Sequence, residues 1–503
     1  MRFSISPAHY FKNRPLLARL FRGAFWTLLG TGVTKIFTLA TNIGIARILG
    51  TEDYGAYGIL NATLDMFWLF GGLSLGYAMI KYTAEYRERD PEKAGRILSA
   101  AQTIIYISAG SLAIVLFLLS DHIAVGMLNR PDLGGILSLG AAYMFIRTIN
   151  NVQLGTLAGF EAFRETARIN IITATANPVI TLPLVYNFYL VGAIWSLIVQ
   201  VLLSFILCSL VFKKKCAEHK IEVGLVKRIS WDEIKELFSF SIPAFIAGLF
   251  VIPVSWLTNA LLVNQADGYI QLGLFNAANQ WRQFIILIPT TMSAVMLAIS
   301  ADTYADGPGG EYRKAYGMNI KMTWGYALPA AIAVILLRSP LNLIFGARYH
   351  EAVALIPPLI GAALFAVINT AAASAVAGAG RMWAEVGINF MWATLLATLS
   401  FWLVPKLGGL GLSYAMMMAG AGQVAVRLLY IDRFLIHGSI EEFRSLAVLT
   451  AAVLGAMLFL TWAERFDIYW GLCLLFLASL PLLKKVYEVI KTTNIRVRAD
   501  DSL

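Results

Sequence analysis

Four ionisable side chains, Lys35, Asp65, Arg147 and Arg282, lie within long and mostly apolar stretches, residues 23–49, 55–80, 134–157 and 271–299. At about 1.5 Å per helical residue, Lys35 and Arg147 fall about 20 Å from the start of their stretches, and Asp65 and Arg282 about 15–16 Å. A hydrocarbon core is about 30 Å thick, so all four belong near its middle. A charge there costs about 2.5–3.5 kcal/mol on insertion scales and is functional by default. Three cations and one carboxylate leave a net positive group, which attracts an anion. Arginine meets a phosphate with a planar fork, lysine as a point charge. Lys35, Arg147 and Arg282 are therefore the candidate anion ligands. Asp65 is either a salt-bridge partner for Lys35 or an ion-coupling group. With Asp65 set against Lys35, neither arginine has an acidic partner of equal depth.

The helices that must carry these groups have polar stripes. Residues Thr27, Thr31, Thr34, Lys35, Thr38, Thr41 and Asn42 recur at a spacing of three or four, which makes one helical face. Asn61, Asp65 and Trp68 share a second face, and Arg147, Asn150 and Asn151 a third. A fourth carries Asn276, Asn279, Gln280, Arg282 and Gln283. Faces this polar do not meet acyl chains cheaply. Thr31, Thr38, Asn42, Asn61, Asn150, Asn151, Asn276, Asn279 and Gln283 are expected to line a wet cavity.

Composition agrees with a membrane solvent. Of 503 residues, 58% are hydrophobic and 14% charged, where an ordinary globular chain has about 25% charged. That excludes a soluble enzyme, a nucleic-acid-binding domain, a secreted disulfide scaffold and a disordered chain. The fold class expected is an all-α polytopic membrane protein. Cys208, Cys216 and Cys473 have no metal-ligand spacing and read as small apolar residues. No metal, cofactor, catalytic residue or nucleic-acid partner is expected, and no phosphate-loop motif is present for ATP hydrolysis. No signal peptide is read in residues 1–22.

About fourteen spans fit the apolar pattern. They are 23–49, 55–80, 97–119, 134–157, 169–186, 190–212, 237–263, 271–299, 317–337, 352–378, 386–404, 409–431, 445–462 and 468–483. If the N-terminus is cytoplasmic, 31 of the 40 Lys and Arg fall inside, 6 outside and 3 within spans. This bias predicts that both termini are cytoplasmic, and the expected location is the cell's inner membrane. Residues 8–21 and 225–238 are basic and amphipathic, and read either as segments lying on an anionic leaflet or as solvated connectors.

The chain also repeats itself. At an offset of 219, residues 149–192 match 368–411, with Asn150/Asn369, Gly159/Gly378, Asn170/Asn389, Thr175/Thr394 and Gly192/Gly411 among the identities. Thr41-Asn42 matches Thr258-Asn259 at 217. Spans 1–6 therefore correspond to spans 7–12 as two parallel six-helix repeats, with two C-terminal helices outside them. The expected organisation is a basic segment 1–22, a bundle 23–212, a linker 213–236, a bundle 237–431, a helix pair 445–483 and a tail 484–503. Parallel repeats of this kind suit alternating access around a midplane site. Pro178, Pro183, Pro243, Pro253 and Pro289 are candidate helix breakers.

At the end of span 1 the chain reads Ala46-Arg47-Ile48-Leu49-Gly50, then Asp53-Tyr54-Gly55-Ala56-Tyr57. Further on it reads Phe70-Gly71-Gly72-Leu73-Ser74-Leu75-Gly76 with Lys81-Tyr82-Thr83-Ala84-Glu85, and Glu236-Leu237-Phe238-Ser239-Phe240-Ser241-Ile242-Pro243. These stretches resemble the polysaccharide-biosynthesis flippases, the O-antigen-type branch of the multidrug/oligosaccharidyl-lipid/polysaccharide exporter superfamily. The resemblance implies two six-helix bundles, a V-shaped cavity, and transfer of a polyprenyl-pyrophosphate-linked oligosaccharide to the outer leaflet for surface polysaccharide. It also implies membrane lipids, a polysaccharide polymerase and glycosyltransferases as partners. The motif's Arg47 falls at the rim, as a packing or gating residue. A drug exporter of the same superfamily is the alternative, disfavoured by net positive deep charge. A membrane glycosyltransferase or polymerase is less favoured still, because Glu52-Asp53 is the only tempting acidic pair.

Overall fold

The computed structural model describes residues 15–224, 231–305, 309–440 and 455. Span 13 apart from residue 455, span 14, the tail 484–503, residues 1–14 and the linker residues 225–230 lie outside that set. Regular structure among the described residues is helical throughout. In lipid every backbone amide and carbonyl has to be satisfied internally, and a helix does this within one segment.

In chain order the helices are α1 (Pro15–Gly72), α2 (Leu75–Tyr86), α3 (Pro91–Gly126), α4 (Leu133–Gly159), α5 (Phe163–Glu218), α6 (Trp231–Leu249) and α7 (Ile252–Val263). There follow α8 (Gly268–Ala305), α9 (Gly310–Leu336), α10 (Arg338–Leu343), a 3₁₀ segment (Ala347–Leu355), α11 (Ile356–Gly378) and α12 (Met382–Phe434). The longest three each merge two expected spans across one non-helical residue: Gly50 in α1, Tyr189 in α5 and Gly408 in α12. At the second and third of these the chain folds back so tightly that Gly192 lies on the carbonyl of Leu184, and Gly411 on that of Leu403. Of the candidate breakers, Pro253 opens α7 after a break, while Pro178, Pro183, Pro243 and Pro289 sit inside continuous helices. Asp90 caps α3 by accepting the Lys93 amide at 2.9 Å, with Pro91 at the first helical turn.

Backbone angles carry the repeat more plainly than residue identities do. Among the described residues, positive φ occurs at Gly50, Leu73, Ser74, Asn129, Glu161, Tyr189, Lys220, Asp267, Gly346, Gly380, Gly408 and Gly438. Ten of these twelve fall into pairs: Gly50/Asp267, Asn129/Gly346, Glu161/Gly380, Tyr189/Gly408 and Lys220/Gly438. Their separations are 217, 217, 219, 219 and 218 residues. A buried bond repeats as well. Asn150 Nδ2 donates to Ser204 Oγ at 2.8 Å, and Asn369 Nδ2 to Gln423 Oε1 at 2.8 Å, again 219 residues on at both ends. Only Leu73 and Ser74 have no counterpart. They separate α1 from α2 with a 45° bend, whereas the corresponding stretch of α8 is unbroken.

The described residues form two compact units. One runs to Ala277 and includes Arg381–Ala415; the other comprises Ala278–Gly380 and the residues from Met416 on. In the first, Leu75, Met79 and Tyr82 of α2 pack with Ile97, Leu98 and Ile105 of α3, Ile149 and Val152 of α4, and Leu237 of α6. Cys208 and Cys216 are buried in this cluster as apolar side chains. In the second unit, Tyr312 Oη donates to the Ala375 carbonyl at 2.9 Å, and Asn319 Nδ2 to that of Ala371 at 3.1 Å.

Tyr189 has φ 48° and ψ −128°, close to the φ 57° and ψ −133° of its counterpart Gly408. A residue with a Cβ held there costs about 1–3 kcal/mol, and the Tyr189 side chain is exposed, so little packing offsets that cost. Tyr189→Gly is therefore expected to stabilise the purified protein by about 1 kcal/mol, and Gly408→Ala to destabilise it by a similar amount. Thermal unfolding in detergent checks the signs, and a lower melting temperature for Tyr189→Gly would refute the argument.

Candidate functional site

In the first unit, α1 and α4 run alongside one another, with Leu64 against Gly140 and Gly72 near Thr148. Helical side chains lean toward the N-terminus, so Arg147 reaches back along α4 to Asp65 on α1. Its Nη1 donates to Asp65 Oδ1 as an ion pair. The guanidinium also lies 4.7 Å from the ring centre of Trp68 and 5.6 Å from that of Tyr143. Asp65 and Trp68 are one turn apart on α1, and Tyr143 and Arg147 one turn apart on α4, so two helix faces close on one cation. Two expectations are corrected here. Asp65 pairs with Arg147 and not with Lys35, and Arg147 does have a deep acidic partner. Similar depth in the sequence did not decide the pairing; the face of α1 that packs on α4 did.

Lys35 is half-buried in the first arm of α1 and forms no ion pair among the described residues. Its stripe is partly self-satisfied: Thr34 Oγ1 donates to the Gly30 carbonyl and Thr41 Oγ1 to that of Phe37, both at 2.8 Å. Thr31, Thr38 and Asn42 are half-buried beside it. Asn61 is also half-buried and donates to the Tyr57 carbonyl at 2.8 Å. Asn150 is buried, and its bond to Ser204 turns it toward α5 and away from open space. Asn151 lies against Gly76, and Asn276 against Gly58. Arg47 is exposed, three residues before the Gly50 turn.

In the second unit, Arg282 is half-buried on α8 and donates through Nε to Asn279 Oδ1 at 2.5 Å. That acceptor is neutral, and Arg282 forms no ion pair among the described residues. Gln283 beside it is half-buried. An edge-on contact of Trp281 with Phe345, at 6.2 Å, anchors this stretch of helix.

Two sets of ties within the first unit were not anticipated. On the basic side, Glu236 of α6 accepts Tyr86 Oη at 2.9 Å and pairs with Lys93 Nζ at 3.1 Å, while Arg96 Nε donates to Glu233 at 2.6 Å. The hydrogen bond to the Tyr86 hydroxyl, with Glu236 behind it, raises the Lys93 ammonium above its ordinary range. At the other end, Arg130 pairs with Asp53 at 2.8 Å and Asp132 at 3.1 Å, and lies 5.1 Å from the Tyr269 ring centre. Tyr269 Oη donates to the Leu128 carbonyl, and Asn264 Nδ2 to that of Met127, both at 2.7 Å. Here α1 and α8 cross backbone to backbone. Gly55 lies against the Tyr269 carbonyl and, for a Cβ built on it, 3.0 Å from the Gly273 amide. Gly273 lies in the same way against the Thr51 carbonyl, 3.2 Å from the Gly55 amide. The motif Asp53-Tyr54-Gly55 thus supplies an ion pair and half of a glycine crossing.

Several solved structures share this fold. An inward-facing multidrug-resistance transporter of the MATE family, MOP superfamily, aligns at a TM-score of 0.69 with 15% identity, over 81% of this chain and 97% of that one. The outward-facing conformation of a MATE family transporter aligns at 0.64 with 17% identity, over 82% and 94%. A MOP superfamily transporter from Pyrococcus furiosus, for which reverse polarity of the binding pocket suggests a different function, aligns at 0.63 with 17% identity, over 82% and 95%. No curated protein matches the chain in sequence. The family model described as polysaccharide biosynthesis protein matches residues 45–354. The chain therefore belongs to the polysaccharide biosynthesis protein family, and its helices adopt the multi-pass fold of these MOP superfamily structures.

Proposed function

We propose that the protein is a flippase that carries a polyprenyl-pyrophosphate-linked oligosaccharide from the cytoplasmic to the outer leaflet of the inner membrane, with its N- and C-termini in the cytoplasm. The observation that carries this is the state of the deep cations. Asp65 is engaged by Arg147, while Lys35 in the first unit and Arg282 in the second form no ion pair among the described residues. Each is an anion contact on its own unit. Among the described residues a cationic drug finds no unengaged deep carboxylate, which argues against the drug-exporter alternative. No bond is made or broken in the cycle, and the prenyl tail stays in lipid while the head group crosses.

Lys35→Ala and Arg282→Ala are each expected to reduce export of surface glycan at least tenfold, a loss of about 1.4 kcal/mol or more in binding terms. Lys35→Arg is expected to retain part of it. Surface glycan is measured in cells lacking their own copy, with membrane insertion followed by a C-terminal fluorescent fusion. Normal glycan in both alanine variants would remove the basis of the proposal.

A further inference from the structure

Beside the break at Leu73–Ser74, which the second repeat lacks, the first unit holds a cavity of about 280 Å³. Its wall includes Trp68, Gly72, Ser74, Tyr77, Asn151 and Leu154, and no charged side chain. Its volume lies at the small end of ligand sites, room for one ring and not for a whole oligosaccharide. The break also leaves hydrogen-bonding capacity unused. The Ser74 hydroxyl makes no cap to α2; the Tyr77 amide is held instead by the Ser74 carbonyl at 3.1 Å. Trp68 Nε1 is buried with no partner.

This lining selects among ligand chemistries. A pyrophosphate calls for cations, and the wall has none. A prenyl tail calls for a dry apolar wall, and this one carries a hydroxyl and a carboxamide. A sugar ring has C–H faces that rest on aromatic rings, and hydroxyls at its rim that bond to neutral donors and acceptors. Trp68 and Tyr77 offer the first, Ser74 and Asn151 the second. The Trp68 ring also carries the Arg147 guanidinium at 4.7 Å, so an occupant here touches the residue that steadies the Arg147–Asp65 pair.

We propose that the gap between α1 and α2 seats one sugar ring of the cargo's glycan. This rests on the flippase reading. The test places p-benzoylphenylalanine in the full chain, expressed in its own cells where the native cargo is made. Tyr77→p-benzoylphenylalanine probes the cavity, with Ile80→p-benzoylphenylalanine, also on the wall, as a second position if the first variant folds poorly. Thr38→p-benzoylphenylalanine, on the Lys35 stripe, reports on the cargo path alone. After irradiation, the cross-linked peptides are weighed by mass spectrometry. The expected result is a carbohydrate-bearing adduct at position 77 or 80 that disappears when the cell's first glycosyltransferase step is blocked. A saccharide adduct at 38 with none at 77 or 80 overturns the sugar seat and leaves the flippase reading standing. No saccharide adduct at any of the three positions overturns both.

Discussion

Alanine at Gly55 or at Gly273 is expected to cut export to a tenth or less. Each glycine occupies the place where the other helix brings a backbone carbonyl, Tyr269 for Gly55 and Thr51 for Gly273. A methyl group at either position meets backbone and not a flexible side-chain end, so the helices themselves must separate. Forced overpacking of this kind costs about 1–3 kcal/mol. Here the cost falls on the closed crossing, where Arg130, Asp53 and Tyr269 also meet. Gly32→Ala and Gly135→Ala serve as controls, because an added Cβ at either has no atom within 4 Å. Export and melting temperature are measured for all four. Wild-type export from both Gly55→Ala and Gly273→Ala would show that the crossing does not have to close that tightly.

The second large effect concerns Asp65 and Arg147. Asp65→Asn leaves the guanidinium without its counter-charge in the membrane interior. Removing one partner of a buried pair costs about 3–5 kcal/mol, and the low end applies because the Asp65 side chain is 45% exposed. Arg147→Gln alone strands the carboxylate in the same way. The double variant Asp65→Asn/Arg147→Gln is expected to recover most of the lost stability, with a coupling energy of about 1–3 kcal/mol. Denaturation of the four proteins in one detergent gives that coupling. Strict additivity of the two single changes would mean that the pair does not act as a unit.

Much of the architecture was legible in the residues alone. Apolar runs of about twenty residues have one economical solution in lipid, and the helices follow them closely, down to turns at Tyr189 and Gly408 in the gaps left between expected spans. The repeat showed through its asparagines and glycines because their jobs recur, as Asn150 and Asn369 demonstrate. Which deep charges meet was not legible. Depth follows from counting along a helix, but the direction a face points depends on its packing neighbour. Asp65 faces α4 because Gly140 lets Leu64 come close, and nothing in the local pattern ranks Arg147 above Lys35 as its partner. The break at Leu73–Ser74 was also missed. Its surroundings, Phe70-Gly71-Gly72-Leu73-Ser74-Leu75-Gly76, read equally well as small residues in a tight helix interface, a role that Gly76 and Gly155 do fill by packing on each other. The basic-side ties were hidden for another reason: Glu233 and Glu236 look like ordinary solvated charges until α6 is laid along α3.

The five matched left-handed positions have a bearing on ancestry. In each pair one member is glycine, and the other is a poor imitator of glycine in three of the five pairs, tyrosine, lysine or glutamate, and a good one, asparagine or aspartate, in two. After an ancestral gene doubled, the letters at these corners drifted while the corners themselves stayed put. Kinship among such carriers is then better traced by where the chain changes direction than by spelling, and a search keyed to corner spacing should recover cousins that alignment passes over.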